Sequence, residues 1–328
     1  MLTHPSGNLM VVASILGLNP ETFDRIIFIC LKEHEEEFHF LKGLNENLAQ
    51  YNFASKCEVL FLDKLTNSQP ETIFLCIEKL NLEGFFYVKD CDNFFETEIK
   101  EEKNTISYCN IHHYPNVNAA NKSYVSLNKD NIVENIIEKK VVSNLFCCGG
   151  YGFDSTEVYI QTFKKLSTLN TNLYLSDIIF DMTLNGHFFY GNETANYRDW
   201  GTLEDWNDYK KQFKTIFSDL DGTLVTNSSQ HFPPYIGESK PLVQNILRLR
   251  KLYETGFVHV IITTSRPEKY RQVTEEQLKR LDIPYDDLIM DLPHCSRVIV
   301  NDFNNTNPYP SCEAINLPRN SDTLKNYL

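Results

Sequence analysis

The stretch Thr215-Ile-Phe-Ser-Asp-Leu-Asp-Gly-Thr-Leu224 limits the folds open to this chain more than any other. An apolar run stops abruptly at two aspartates, Asp219 and Asp221, with Gly-Thr-Leu behind them. Such a run reads as a buried parallel strand that delivers carboxylates to its C-terminal edge, where open α/β sheets keep their sites. Alternation along an extended chain points Asp219 and Asp221 the same way and turns Leu220 aside. Two converging carboxylates repel each other, so the pair calls for a divalent cation, and hard oxygen ligands suit Mg²⁺. Gly222 permits a sharp turn that would offer backbone N–H groups, with Thr223, to an anion.

Two later stretches follow the same plan. Val258-His-Val-Ile-Ile-Thr-Thr-Ser-Arg-Pro267 is a second apolar strand, ending in hydroxyls and a guanidinium. Arg297-Val-Ile-Val-Asn-Asp302 reads as a third, ending in Asn301 and Asp302. Together they resemble the motifs of the haloacid dehalogenase (HAD) superfamily, whose phosphatases carry the D-x-D-G-T form of the first motif. The resemblance implies that Asp219 attacks phosphorus to form an aspartyl-phosphate, with Asp221 as general acid and base. It also implies Mg²⁺ on Asp219, Asp221, Asp302 and Asn301. Thr264, two residues before Arg266 as in the family's T-x-R pattern, would hold a phosphoryl oxygen, with Thr263 as the alternative. Arg297 would supply the basic group, with Lys279 behind it, and Gly222, Thr223, Ser265 and Arg266 would line the substrate. The short segment Val225–Phe257 leaves no room for a large cap domain.

The first two hundred residues alternate apolar strands with helical stretches. Arg25–Leu31 and Cys57–Leu62 read as buried strands, and Gln69–Leu80 as a helix with Pro70 near its first turn. Gly84–Phe95 repeats the theme of an apolar strand ending in Asp-x-Asp, so Asp90 and Asp92 could hold a metal by the argument used for Asp219 and Asp221. The order of motifs here is similar to that of the GT-A-type sugar-phosphate nucleotidyltransferases. Ser68-Gln69 matches the base-reading position, Lys89-Asp90-Cys91-Asp92 the metal-binding strand, and Glu138-Lys139 the pair that contacts sugar and phosphate. Gly150, in Cys148-Gly-Gly-Tyr-Gly-Phe153, fits the glycine turn near the sugar, and Asp199-Trp-Gly-Thr202 the second metal aspartate. Lys122-Ser-Tyr124 is a substrate contact or a strand-edge lysine. The family's glycine-rich triphosphate loop has no counterpart ahead of Met1-Leu-Thr-His-Pro, which implies an N-terminally truncated domain with an open edge suited to self-association.

Composition narrows the classes further. A length of 328 residues suggests two domains. A net charge of −13, with no basic run interleaved with aromatics, argues against a nucleic-acid partner. The nine cysteines show no CxxC pair, as expected of reduced thiols in a cytoplasmic protein. No run approaches the roughly 18 apolar residues that span a bilayer, so no membrane partner is expected. His112 and His113, adjacent on a presumed strand, point to opposite faces. The expected architecture is α/β, two three-layer α/β/α domains: a nucleotidyltransferase-like GT-A domain over 1–210 and a HAD-like Rossmannoid domain over 211–328. The resemblances imply a cytoplasmic Mg²⁺-dependent phosphatase acting on a sugar, polyol or amino-alcohol phosphate, in the manner of bacterial capsule biosynthesis fusions. The alternatives are a bifunctional enzyme that also makes a CDP- or other NDP-activated compound, or a scaffold that binds a nucleotide-sugar.

Overall fold

Two apolar runs open the N-terminal half as a parallel pair, β1 (Ile26–Leu31) and β2 (Cys57–Leu62), in register from Ile26 opposite Cys57 to Leu31 opposite Leu62. Between them the helix Phe40–Leu48 buries Phe40, Leu44 and Leu48, a stripe at four-residue spacing, in one cluster with Val12, Phe28 and Phe53. The computed structural model describes residues 2–99, 101–115, 117–303 and 310–328. The helix Gln69–Leu80 starts where the Oγ of Ser68 accepts the Glu71 N–H at 3.4 Å, and it ends at Asn81 in a left-handed conformation.

Seven further strands follow: β3 (Phe86–Lys89), β4 (Asn93–Glu96), β5 (Thr105–Asn110), β6 (Tyr124–Leu127), β7 (Val133–Ile137), β8 (Leu145–Phe153) and β9 (Tyr190–Glu193). The main sheet is mixed, in the order β7-β6-β8-β5-β9, with β3 also paired to β8. Its centre, β8, is buried along nearly its whole length because neighbours flank it on both edges. Phe86, Phe153, Tyr159 and Phe189 form stacked and edge-on ring contacts in the core. Outside that sheet, β4 pairs antiparallel with β10 (Ala195–Asp199), setting Asn93 opposite Asp199.

The chain divides into two compact units, Met1–Trp206 and Asn207–Leu328, within the helix Leu203–Lys210. The C-terminal unit has three parallel strands in the order β11 (Lys214–Asp219), β12 (Val258–Thr263) and β13 (Asp287–Ile289). Leu220, Leu224, Ile246, Leu249, Val260, Ile262 and Leu278 form its core. The strand expected at Arg297–Asp302 is not one. Its valines face outward, Val298 at 82% and Val300 at 91% exposure, and the edge beside β12 is taken by the short β13. His112 and His113 lie on a 3-10 turn rather than a strand. All nine cysteines are free, and no helix among the described residues is long and apolar enough to cross a membrane.

Candidate active site

After Lys89 the chain leaves β3, turns through Asp90, Cys91 and Asp92, and returns as β4. The β4–β10 ladder then brings Asp92 beside Asp199, and the Trp200 N–H donates to the Asp92 carbonyl at 2.9 Å. A Cβ at Gly201 would lie 3.3 Å from Oδ1 of Asp199 and 3.5 Å from Oδ2 of Asp92, so both carboxylates address one spot. The Gly201 N–H donates to Asp199 Oδ1 at 3.2 Å. Asp90 is anchored from the other side, its N–H donating to the Gly149 carbonyl at 2.8 Å. Gly149 has φ +80°, and a Cβ there would sit 2.4 Å from Oδ2 of Asp90. Burial, and then the negative charge of Asp92, push the Asp90 carboxyl up to about 6; Lys89, the Gln69 hydrogen bond and Lys122 oppose the shift.

Cations and amides bind these acids from within the fold. Lys89 Nζ donates to the carbonyls of Asp90 (2.6 Å) and Asn93 (2.9 Å) and to Oδ1 of Asn93 (2.6 Å), and sits 4.6 Å over the Phe95 ring. Burial pushes its ammonium down to about 8, against the pull of Asp90 and Asp92. Lys122 Nζ lies 2.6 Å from Oδ2 of Asp199 and 2.8 Å from Oη of Tyr197. Gln69, matched above to the base-reading position, donates its amide to Oδ1 of Asp90. Lys89 and Lys122 both stood in stretches the sequence singled out. The carboxylate and aromatic partners of Lys122, Asp199 and Tyr197, were not legible, because they lie on a segment far along the chain.

The remaining expected residues divide by environment. Glu138 accepts from the hydroxyls of Ser123 and Ser176, the latter at 3.3 Å. Lys139 is exposed, with φ 51°, and its ammonium lies 5.0 Å over the Tyr174 ring. Gly150, expected near the sugar, is a buried packing residue: a Cβ there would meet Tyr87 Oη at 2.2 Å and Phe95 Cζ at 2.5 Å. Gly149 is the glycine that faces an acid. A cleft of about 890 Å³ in this unit lies elsewhere, between Glu96, Glu98, Glu101, Tyr190 and Glu193, and none of Asp90, Asp92 and Asp199 lines it. The geometry and chemistry of the aspartate cluster therefore outweigh cavity size as a guide to the site.

Among the described residues no group of three or more His, Cys, Asp or Glu side chains is arranged to hold a metal ion. Mg²⁺ does not require one, since it is commonly held by one or two carboxylates with substrate phosphates and water completing the shell. Asp92 and Asp199 around Gly201, with Asp90 beside them, are a donor set of that kind.

The C-terminal unit assembles its acids differently. Asp219 receives Arg297 Nη1 at 2.9 Å and the Thr223 hydroxyl at 3.3 Å. Burial raises its carboxyl and Arg297 opposes the rise. Asp221 is saturated: Arg266 Nε and Nη2 donate at 2.8 Å each, Thr264 Oγ1 at 3.1 Å and Ser228 Oγ at 2.7 Å. Four donors fill the roughly four lone-pair positions of a carboxylate, leaving none for a metal or a moving proton. Arg266 is in turn fixed by Thr274 (3.2 Å) and Gln277 (2.8 Å). The Gly222 N–H, expected to face an anion, donates to the Val225 carbonyl at 2.6 Å. Thr263 bonds the Ser218 carbonyl at 3.3 Å, Ser265 is half-buried and Lys279 is exposed. Asn301 and Asp302 lie on the exposed segment, where Asn301 Nδ2 donates to the Ser311 carbonyl and the Ser311 hydroxyl donates to the Asp302 carbonyl.

No family model and no curated protein matches the sequence. Solved structures do match. One is the nucleoside-diphosphate-sugar pyrophosphorylase from Vibrio cholerae RC9, with a TM-score of 0.53 at 16% identity, covering 64% of this chain and 89% of that one. Another is the inositol-1-phosphate CTP transferase from T. maritima, with a TM-score of 0.48 at 14% identity, covering 62% of this chain and 80% of that one. The N-terminal fold is therefore nucleotidyltransferase-like. This likeness spans most of the chain and corrects the expectation of a phosphatase as its function. The saturated Asp221 and the absent strand at Arg297–Asp302 give the physical side of that correction.

Proposed function

We propose that the N-terminal unit is a Mg²⁺-dependent nucleotidyltransferase domain that joins a nucleotide to a small phosphorylated metabolite, a sugar phosphate being the favoured class. The proposal rests on the convergence of Asp92 and Asp199 around Gly201 with Asp90 beside them. In such a reaction a phosphate oxygen of the metabolite attacks the α-phosphorus of a nucleoside triphosphate. The bond from that phosphorus to the bridging oxygen breaks, and pyrophosphate leaves. Asp92 and Asp199, with Asp90 beside them, would hold Mg²⁺, which supplies neutralisation of the phosphate charge. Gln69 orients Asp90, and Lys89 fixes the turn between β3 and β4 that presents Asp90 and Asp92. Glu138 and Lys139 are the polar pair available for the sugar, Glu138 held by two serine hydroxyls.

The V. cholerae protein, a nucleoside-diphosphate-sugar pyrophosphorylase by name, supports the substrate class by fold. The C-terminal unit, with parallel strands and the Asp219 loop in HAD-like order, enters this reading as a folded companion and carries no step. The test is pyrophosphate release from a panel of nucleoside triphosphates and sugar 1-phosphates with Mg²⁺, for the native chain and Asp199→Asn. Release that falls at least about a hundredfold in the variant supports the reading. Release indifferent to Asp199→Asn removes the assigned site.

A further inference from the structure

Resting on that reading, we infer that Lys122 is a built-in competitor of the metal, an internal cation that holds Asp199 until a divalent ion displaces it. The ammonium sits 2.6 Å from Oδ2 of Asp199, and both side chains are largely enclosed, at 17% and 16% exposure. An ammonium at that distance takes the oxygen a divalent cation would coordinate, and two cations cannot share it at contact distance without strong repulsion.

The lysine is not a loose surface partner. Its Nζ also donates to Tyr197 Oη at 2.8 Å and lies 5.4 Å over the same ring. Tyr197 is itself fixed, edge-on to Tyr114 (5.8 Å) and to Phe146 (5.1 Å), with its N–H on the Tyr114 hydroxyl at 3.3 Å. Asp199 is fixed from the other side by the Gly201 N–H. The carboxylate thus stands preformed against Asp92, its charge balanced by the ammonium. A half-buried acid cluster with no cation would repel itself, and Lys122 offsets this at the expense of metal affinity.

The test reads metal binding rather than turnover: Mn²⁺ titrated into the full chain, with free Mn²⁺ followed by electron paramagnetic resonance. Lys122→Met should bind Mn²⁺ at least about tenfold more tightly than the native chain, which is about 1.4 kcal/mol. Lys122→Arg, which keeps the charge, should stay within a few-fold of native, and Asp199→Asn should lose the site. Should the methionine variant not fold, Lys122→Gln, which keeps a donor for Tyr197, takes its place. Equal or weaker binding in the neutral variants, with loss in Asp199→Asn, overturns the competitor role and leaves the metal site standing. Binding that Asp199→Asn does not change, or no binding at all, overturns both.

Discussion

A methyl group at position 149 has nowhere to go: it would lie 2.4 Å from Oδ2 and 2.8 Å from Cγ of Asp90, on a residue with φ +80°. Gly149→Ala should therefore push Asp90 out of place, costing about 1–3 kcal/mol in urea denaturation and weakening Mn²⁺ binding. Unchanged binding would mean that Asp90 lies outside the metal site. Asp90 also gives stability a pH dependence. Its folded value of about 6 stands above the ordinary 3.8, so between the two the folded state binds more protons. The stability it contributes is full below the lower value and lost as pH rises through the upper one. Lys89, pushed down to about 8, stays protonated in both states below neutrality and does not alter the sign there. From about pH 5 to about pH 7 the native melting temperature should fall relative to that of Asp90→Asn. A parallel course would contradict the raised carboxyl. At this scale the Asp-x-Asp positions were legible from an apolar run that stops at acids. A Gly-Gly pair does not reveal which residue faces Asp90 and which faces Tyr87 and Phe95, so the contact of Gly149 with Asp90 was not legible.

Strands and helices were legible where a local pattern is long enough to act alone. Cys57–Leu62 and Gln69–Leu80 form over the expected residues, since an apolar run, or a Ser cap with Pro in the first turn, is written in the local sequence. The β4–β10 ladder, which assembles the site, joins two short segments, and neither strand contains a signal for the other. Arg297–Val300 has the β-branched composition of a strand but no ladder among the described residues, whereas the three-residue β13 has a ladder and almost no pattern. Two predictions belong to this scale. Arg266→Met strips the buried partner from Asp221 and should destabilise the C-terminal unit by about 3–5 kcal/mol. Arg297→Ala, at an exposed pair, should cost about 1 kcal/mol or less. Similar costs for the two in chemical denaturation would contradict a structural role for Asp221. The helix Val243–Tyr253 has no cap of its own, and Asp322 from the chain's end accepts the N–H groups of Gln244 (3.0 Å) and Asn245 (2.8 Å). Asp322→Ala should then cost about 1 kcal/mol in the same measurement, and no change would leave that cap without energetic weight.

Across the whole molecule, each unit carries a strand that ends in Asp-x-Asp, and sequence strength alone ranked them wrongly. D-x-D-G-T is the more specific string, yet a string reports the shape of a loop and not whether its carboxylates have lone pairs to spare. Asp221 has spent its own on Arg266, Thr264 and Ser228, while Asp92 and Asp199 face a common point beside Asp90. The fold likeness to a nucleoside-diphosphate-sugar pyrophosphorylase covers 64% of the chain. The decisive measurement is ³¹P nuclear magnetic resonance of the full chain with Mg²⁺, a nucleoside triphosphate and a sugar 1-phosphate, followed in one tube. The account predicts paired diphosphate resonances of a nucleotide-sugar growing in step with pyrophosphate, both absent with Asp199→Asn. Orthophosphate growing at the expense of the sugar phosphate, with the triphosphate untouched, would contradict it.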